Sequence, residues 1–201
     1  RVGRMFDFLA SGTLLGLASG FAPGPLLLLV IAETLRHDTR AGVKVSMAPI
    51  LTDLPIIALT LTVMAKLSSF QLLLGGISIA GALFVLFLGI DSLRTQGVQI
   101  EIESAPPRSL RKGVLINALS QHPYLFWFSV GAPSTLKAMQ VGTGAAATFL
   151  GSFYVCLIGA KISLALLVGR SRDFLLSRAY LFIMKGLGLL LIIFAGLLFR
   201  E

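Results

Sequence analysis

Charge is scarce in this sequence. Asp, Glu, Lys and Arg make up 13% of its 201 residues, against about 25% in an ordinary soluble domain. Cysteine is nearly absent. Cys156 stands alone, which excludes an intrachain disulfide, a cysteine-based metal site and any thiol relay that needs a pair. No Gly-x-x-x-x-Gly-Lys-Ser/Thr run occurs, so the chain carries no ATP-hydrolysing P-loop of its own. It has no zinc motif, no two carboxylates within one apolar run and no Gly-x-Ser-x-Gly. An intramembrane enzyme would need a nucleophile with its base, or several metal ligands. No cofactor and no bound metal is implied. The first apolar run lacks the basic start and small-residue cleavage site of a signal peptide. Met5, after Arg1–Arg4, reads as the native start.

What is abundant is apolar surface. Hydrophobic residues reach 56% and the mean hydropathy is +0.90, more than one globular core can hide, so lipid must solvate most of it. The formal charge of +8 does not point to nucleic acid, because the basic residues lie between apolar runs. They read as loop charge facing anionic lipid.

Apolar runs of roughly 20 residues read as membrane helices, and six are present: Phe6–Ala32, Val43–Ala65, Phe70–Leu93, Gly113–Leu136, Gly142–Val168 and Tyr180–Phe199. The polar stretch Thr95–Leu110, with Pro106-Pro107, separates them three and three. The expected fold is therefore an all-α membrane protein of two three-helix repeats, residues 1–94 and 111–201, joined by a linker at 95–110. Three is odd, so the second repeat inserts upside down, the plan of many secondary transporters. Ten basic residues fall in loops 1–2, 3–4 and 5–6, against five at most on the other side. The positive-inside rule then places those loops in the cytoplasm and both termini outside the cell membrane. Gly12, Gly16 and Gly20 form a stripe for close helix approach. Such stripes permit a homodimer as well as internal packing.

The first run of each half is interrupted by proline: Pro23-Gly24-Pro25 in one, Pro123 in the other. Proline lacks an N–H and clashes with the carbonyl four residues back. Pro23 thus frees the carbonyl of Ser19, and Pro25 that of Phe21. A free polar group is costly in hydrocarbon, so these segments must be sheltered by protein or line a cavity. Pro25 suits the first position of a new helix, whose start at Gly24–Leu26 attracts anions. Ser120-Gln121-His122-Pro123 offers the same device. Two such ends meeting near the midplane make an expected site for a small anionic or zwitterionic solute.

Asp53 lies in the middle of the second run, flanked by Pro49 and Pro55. A carboxylate there is a functional candidate by default. It can hold a substrate ammonium, a coupling proton, or a salt bridge to Lys161 in the fifth run. Lys161 can alternatively receive a substrate carboxylate. Glu33 reads as an interface residue beside Arg36. His122 can titrate with a proton gradient or be a satisfied polar contact. Tyr124, Phe126 and Trp127 line the cavity or meet lipid, and Asn117, Ser120 and Gln121 add hydrogen-bonding groups on the same run.

The run ASGFAPGPLLLLVIAETLRHDTRAGVKVSMAPILTD resembles the opening of the lysine exporter (LysE/RhtB-type) family. The matching features are Pro23-Gly24-Pro25, Arg40-Ala41-Gly42 and Asp53, together with six spans and a polar middle linker. The resemblance implies a secondary exporter of amino acids or similar small zwitterions, coupled to protons through Asp53 and His122. Its substrate site would comprise Gly24, Pro25, Leu26, Asp53, His122, Pro123, Tyr124 and Lys161. This chain departs from the pattern in two places. His122-Pro123-Tyr124 stands where members commonly carry Asn-Pro-Lys, and Thr52 replaces a glycine before the aspartate. The competing readings are a divalent metal-ion exporter of similar architecture, for which Asp53 and His122 alone are few ligands, and an intramembrane enzyme. A membrane scaffold would need neither Asp53 nor two breaks.

Overall fold

In the computed structural model of the chain, every described element is helical. The structure describes residues 2–22, 24–67, 109–170 and 178–198, with isolated helical positions between 76 and 94. Pro23, most of the third apolar run and positions 95–108 of the linker lie outside the described residues.

The first run is two helices, α1 (Val2–Phe21) and α2 (Pro25–Arg36). Between them Gly24 is extended, with φ −151° and ψ 173°, and Pro25 opens α2. The missing N–H of Pro25 costs nothing at a position whose donor has no intrahelical acceptor. The axes of the two helices bend by 59°. Helix α3 (Thr39–Ser46) follows, its start capped by Asp38, whose carboxylate accepts the Ala41 N–H at 2.8 Å. A turn at Met47 leads into α4 (Ala48–Leu67), which carries Pro55 without stopping.

The fourth run is more divided than Pro123 alone suggests, and it carries a second proline, Pro133, in the first turn of its last helix. It comprises α5 (Ser109–Leu119), α6 (Gln121–Phe126), a π-helical turn (Trp127–Gly131) and α7 (Ala132–Val141). The break falls at Ser120, extended at φ −73° and ψ 135°, and Pro123 is the third residue of the helix that follows. Gly142 then takes φ 150°, a conformation that glycine adopts cheaply. It joins α7 to α8 (Thr143–Arg170), and α9 (Arg178–Leu198) ends the described chain. Thr39–Met64 and Thr143–Arg170 are each long and apolar enough to cross a membrane, and the bent pair Met5–Phe21 with Pro25–Arg36 makes a third span if taken as one.

Packing follows the small residues. A Cβ on Gly12 would stand 2.6 Å from the Phe149 carbonyl oxygen, and one on Gly20 2.9 Å from that of Leu157. On Gly16 it would run into the Phe153 carbonyl. Each step of four residues on α1 is matched by four on α8, so the two helices run in the same direction, backbone against backbone. Helix α5 rests on the α3–α4 junction, where Gly113 meets Val45 and Ala48. The largest apolar cluster gathers Leu15, Ile56, Trp127, Phe149, Phe153 and Leu191 from five different elements. Meanwhile Leu119 and Phe182 are each 78% exposed and Val155 73%. Asp53, Lys161, Glu33 and Asn117 are buried. Apolar outside and charged inside is the arrangement lipid solvation requires.

Candidate functional site

Helix ends leave backbone groups without intrahelical partners: carbonyls at the C-terminus, N–H groups at the N-terminus. The break after α1 exposes both kinds within a few residues. A cavity of about 120 Å³ opens against it. Ser19 and Ala22 from the end of α1, and Gly24, Pro25, Leu26 and Leu27 from the start of α2, form one side. Pro49 and Asp53 of α4 form another. The second interrupted run brings Asn117, Ser120, His122 and Pro123, then Phe126 and Trp127. Helix α8 closes the cavity with Phe153, Leu157 and Lys161. Both interrupted helices therefore face one space.

Asp53 is 4% exposed, yet its carboxylate is met by neutral donors. Oδ1 accepts from Asn117 Nδ2 at 3.2 Å and Thr52 Oγ1 at 3.3 Å, and Oδ2 accepts from the Tyr154 hydroxyl at 3.3 Å. Asn117 also donates to Thr52 Oγ1 at 2.6 Å, which fixes the cluster. The buried Trp127 indole N–H is close to Asp53 but makes no hydrogen bond of ordinary geometry. The Trp127 ring overlies Gly131, where a Cβ would stand 2.7 Å from its Cζ3, so the π-helical turn and its glycine hold the indole in place.

Lys161 is equally buried and does not bridge to Asp53. Its Nζ donates to the carbonyls of Gly20 at 3.2 Å and Ser19 at 3.4 Å. The ammonium thus caps the C-terminus of α1, where freed carbonyls and the helix dipole favour positive charge. The expected alternative of an Asp53–Lys161 salt bridge is replaced by this one because the break supplies better-placed acceptors. The two opposite charges nevertheless line the same cavity.

Other expectations land differently. Tyr124 is exposed, with its hydroxyl donating to the Ala118 carbonyl at 2.8 Å, and it does not line the cavity. His122 is at the rim and exposed. Glu33, in the last turn of α2, is turned into the protein. It is 1% exposed, bound by Lys112 Nζ at 2.9 Å and by the Ser109 hydroxyl, with His37 Nε2 at 3.8 Å. Helix α5 supplies both partners, so α2 and α5 are tied beyond the cavity. Tyr154 and the Ser109–Lys112 pair are the polar contacts that sequence reasoning missed. The signal for Tyr154 is a lone phenol inside an apolar run. The signal for Lys112 and Glu33 is two opposite charges at the same end of neighbouring runs.

No curated protein and no solved structure matches the chain significantly. Residues 17–201 match the LysE type translocator family. That match starts just before the break and takes in every residue lining the cavity. With apolar helices outside and a charged cavity within, this chain belongs to the LysE type translocator family and is a multi-pass membrane transporter, not an enzyme.

Proposed function

We propose that the protein is a secondary active exporter of amino acids or similar small zwitterions, driven by the proton gradient across the cell membrane. One observation carries this reading. Asp53 and Lys161 line the same cavity, each held by neutral groups and neither neutralised by the other. A zwitterion supplies the missing partners: its ammonium goes to Asp53, its carboxylate to Lys161 and the first N–H groups of α2 at Leu26 and Leu27. Membership of a translocator family supports transport as the outcome.

Proton coupling follows from using one carboxylate twice. Asp53 holds either a proton or the substrate ammonium. Outside, a proton displaces the solute. Inside, the proton leaves and a new solute binds. Each half-cycle then moves one species, which is obligatory exchange.

The proposed architecture is two inverted three-helix repeats with both termini outside. In that plan the first and fifth spans run in the same direction. The α1–α8 stripe, with its indices rising together, supports it. The fourth span should likewise pack on the second, and α5 rests on α3 and α4. On this topology Glu33, Ser109 and Lys112 lie at the cytoplasmic mouth and join one half to the other.

The test is transport in proteoliposomes of the purified chain with an imposed pH gradient. Wild type should drive uphill amino-acid movement. Asp53→Asn should abolish it or leave downhill movement independent of pH. Proton-driven export by Asp53→Asn at the wild-type rate would remove the assignment.

A further inference from the structure

We propose that the cavity selects amino acids with an uncharged, apolar side chain and rejects basic and acidic ones. This deepens the export reading above and rests on it.

The first argument is a charge inventory. Among the described residues, the cavity lining contains one carboxylate, Asp53, and one ammonium, Lys161, with the His122 imidazole at the rim. The α-ammonium and α-carboxylate of any amino acid use both charges. A lysine or arginine side chain would need a second buried anion, and among the described residues the lining offers none. A glutamate side chain would share the space with Asp53 and find only exposed His122 in compensation.

The second argument is the wall left over. Away from the charges it is built from Leu27, Phe126, Trp127, Phe153 and Leu157. The rings brace one another: Phe126 stacks on Phe153 at 4.9 Å, and Trp127 meets Phe153 edge-on at 5.6 Å. Trp127 also stacks on Tyr154 at 6.3 Å. Ring area engaged in this way is withdrawn from cation–π contact with a solute. The Asn117 amide nitrogen is likewise committed to Asp53 and Thr52. Apart from the unpartnered Trp127 N–H and the residues Ser19 and Ser120, what this lining presents to a side chain is packed hydrocarbon, which favours apolar groups. A cavity of roughly 150 Å³ admits benzene, so about 120 Å³ sets a comparable scale.

The experiment is counterflow in proteoliposomes with radiolabelled leucine, valine, lysine, arginine and glutamate, on the wild-type chain. Leucine or valine should exchange at least about tenfold faster than the three charged amino acids, the discrimination a hydrophobic pocket supplies. Lysine or glutamate moving as fast as leucine, still in an Asp53-dependent manner, overturns the selectivity and leaves the export reading standing. Movement of no amino acid overturns both. A Leu157→Asp variant, checked for a monodisperse elution profile, adds a second carboxylate to the wall and should raise lysine relative to leucine. An unchanged ratio in that folded variant places the side chain elsewhere and overturns the proposal. If the variant does not fold, the wild-type ratios decide.

Discussion

Lys161 is held by two backbone carbonyls and Asp53 by three neutral side chains. Each charge is stabilised locally, and the two opposite charges line one cavity. This predicts non-additive stability. Asp53→Asn leaves a lone buried ammonium, and Lys161→Met leaves a lone buried carboxylate together with two freed carbonyls. The double variant removes both net charges. Thermal unfolding in detergent should give a coupling energy of about 0.5–3 kcal/mol between the sites. Strict additivity would mean that Lys161 only caps α1. Lys161→Met should also slow transport, and unchanged rate and selectivity would remove Lys161 from the substrate site. At this scale the sequence was partly legible. A mid-run Asp53 and a mid-run Lys161 stand out as charges in hydrocarbon, and so does Asn117 as a polar neighbour. Their partners were not legible, because a carbonyl freed by Pro23 and a hydroxyl at Tyr154 are acceptor and donor chosen by tertiary approach.

The elements divide the glycines into two kinds. Gly16 has α8 backbone against it, while Gly24 has nothing within 4 Å of the place a Cβ would occupy. Gly16→Ile should therefore separate α1 from α8, at a cost of about 1–3 kcal/mol or more, seen as lost folded yield and a lower melting temperature. Gly24→Ala should melt as wild type does, since φ −151° suits any residue and space is open. Whatever Gly24→Ala does to transport then reports on the cavity. Equal melting loss in the two variants would contradict this packing. The start of α2 at Pro25 was readable, because proline at a first helical position is a local rule. The second helix break was displaced. Pro123 tolerates an early helical position, and the chain breaks before it, at Ser120. The π-helical turn at Trp127–Gly131 has a local signature that went unread: Pro133 lacks the N–H that would bond the Ser129 carbonyl four residues back, which loosens the turn before it.

Across the whole molecule, alternating access needs the two proposed halves to part on one side at a time. Glu33 of the first and Lys112 and Ser109 of the second are the polar tie between them at the proposed cytoplasmic end. Glu33→Gln should loosen that tie and let a membrane-impermeant maleimide reach a cysteine at position 120 faster from the cytoplasmic side, in a Cys156→Ser background. An unchanged labelling rate would reduce the pair to a structural contact. The tie escaped sequence reading because Glu33 neighbours Arg36 in sequence, while its partner is 79 positions away. The broad class, by contrast, was legible from composition, and the family from Pro23-Gly24-Pro25, Arg40-Ala41-Gly42 and Asp53. The central claim is that one buried carboxylate, Asp53, exchanges a proton for a solute ammonium. The most direct measurement is proton flux recorded together with amino-acid flux in the same proteoliposomes, wild type beside Asp53→Asn. The account predicts that wild type moves protons only when an amino acid moves the other way, and that the variant moves no protons. Amino-acid-dependent proton flux through Asp53→Asn at the wild-type rate would contradict it.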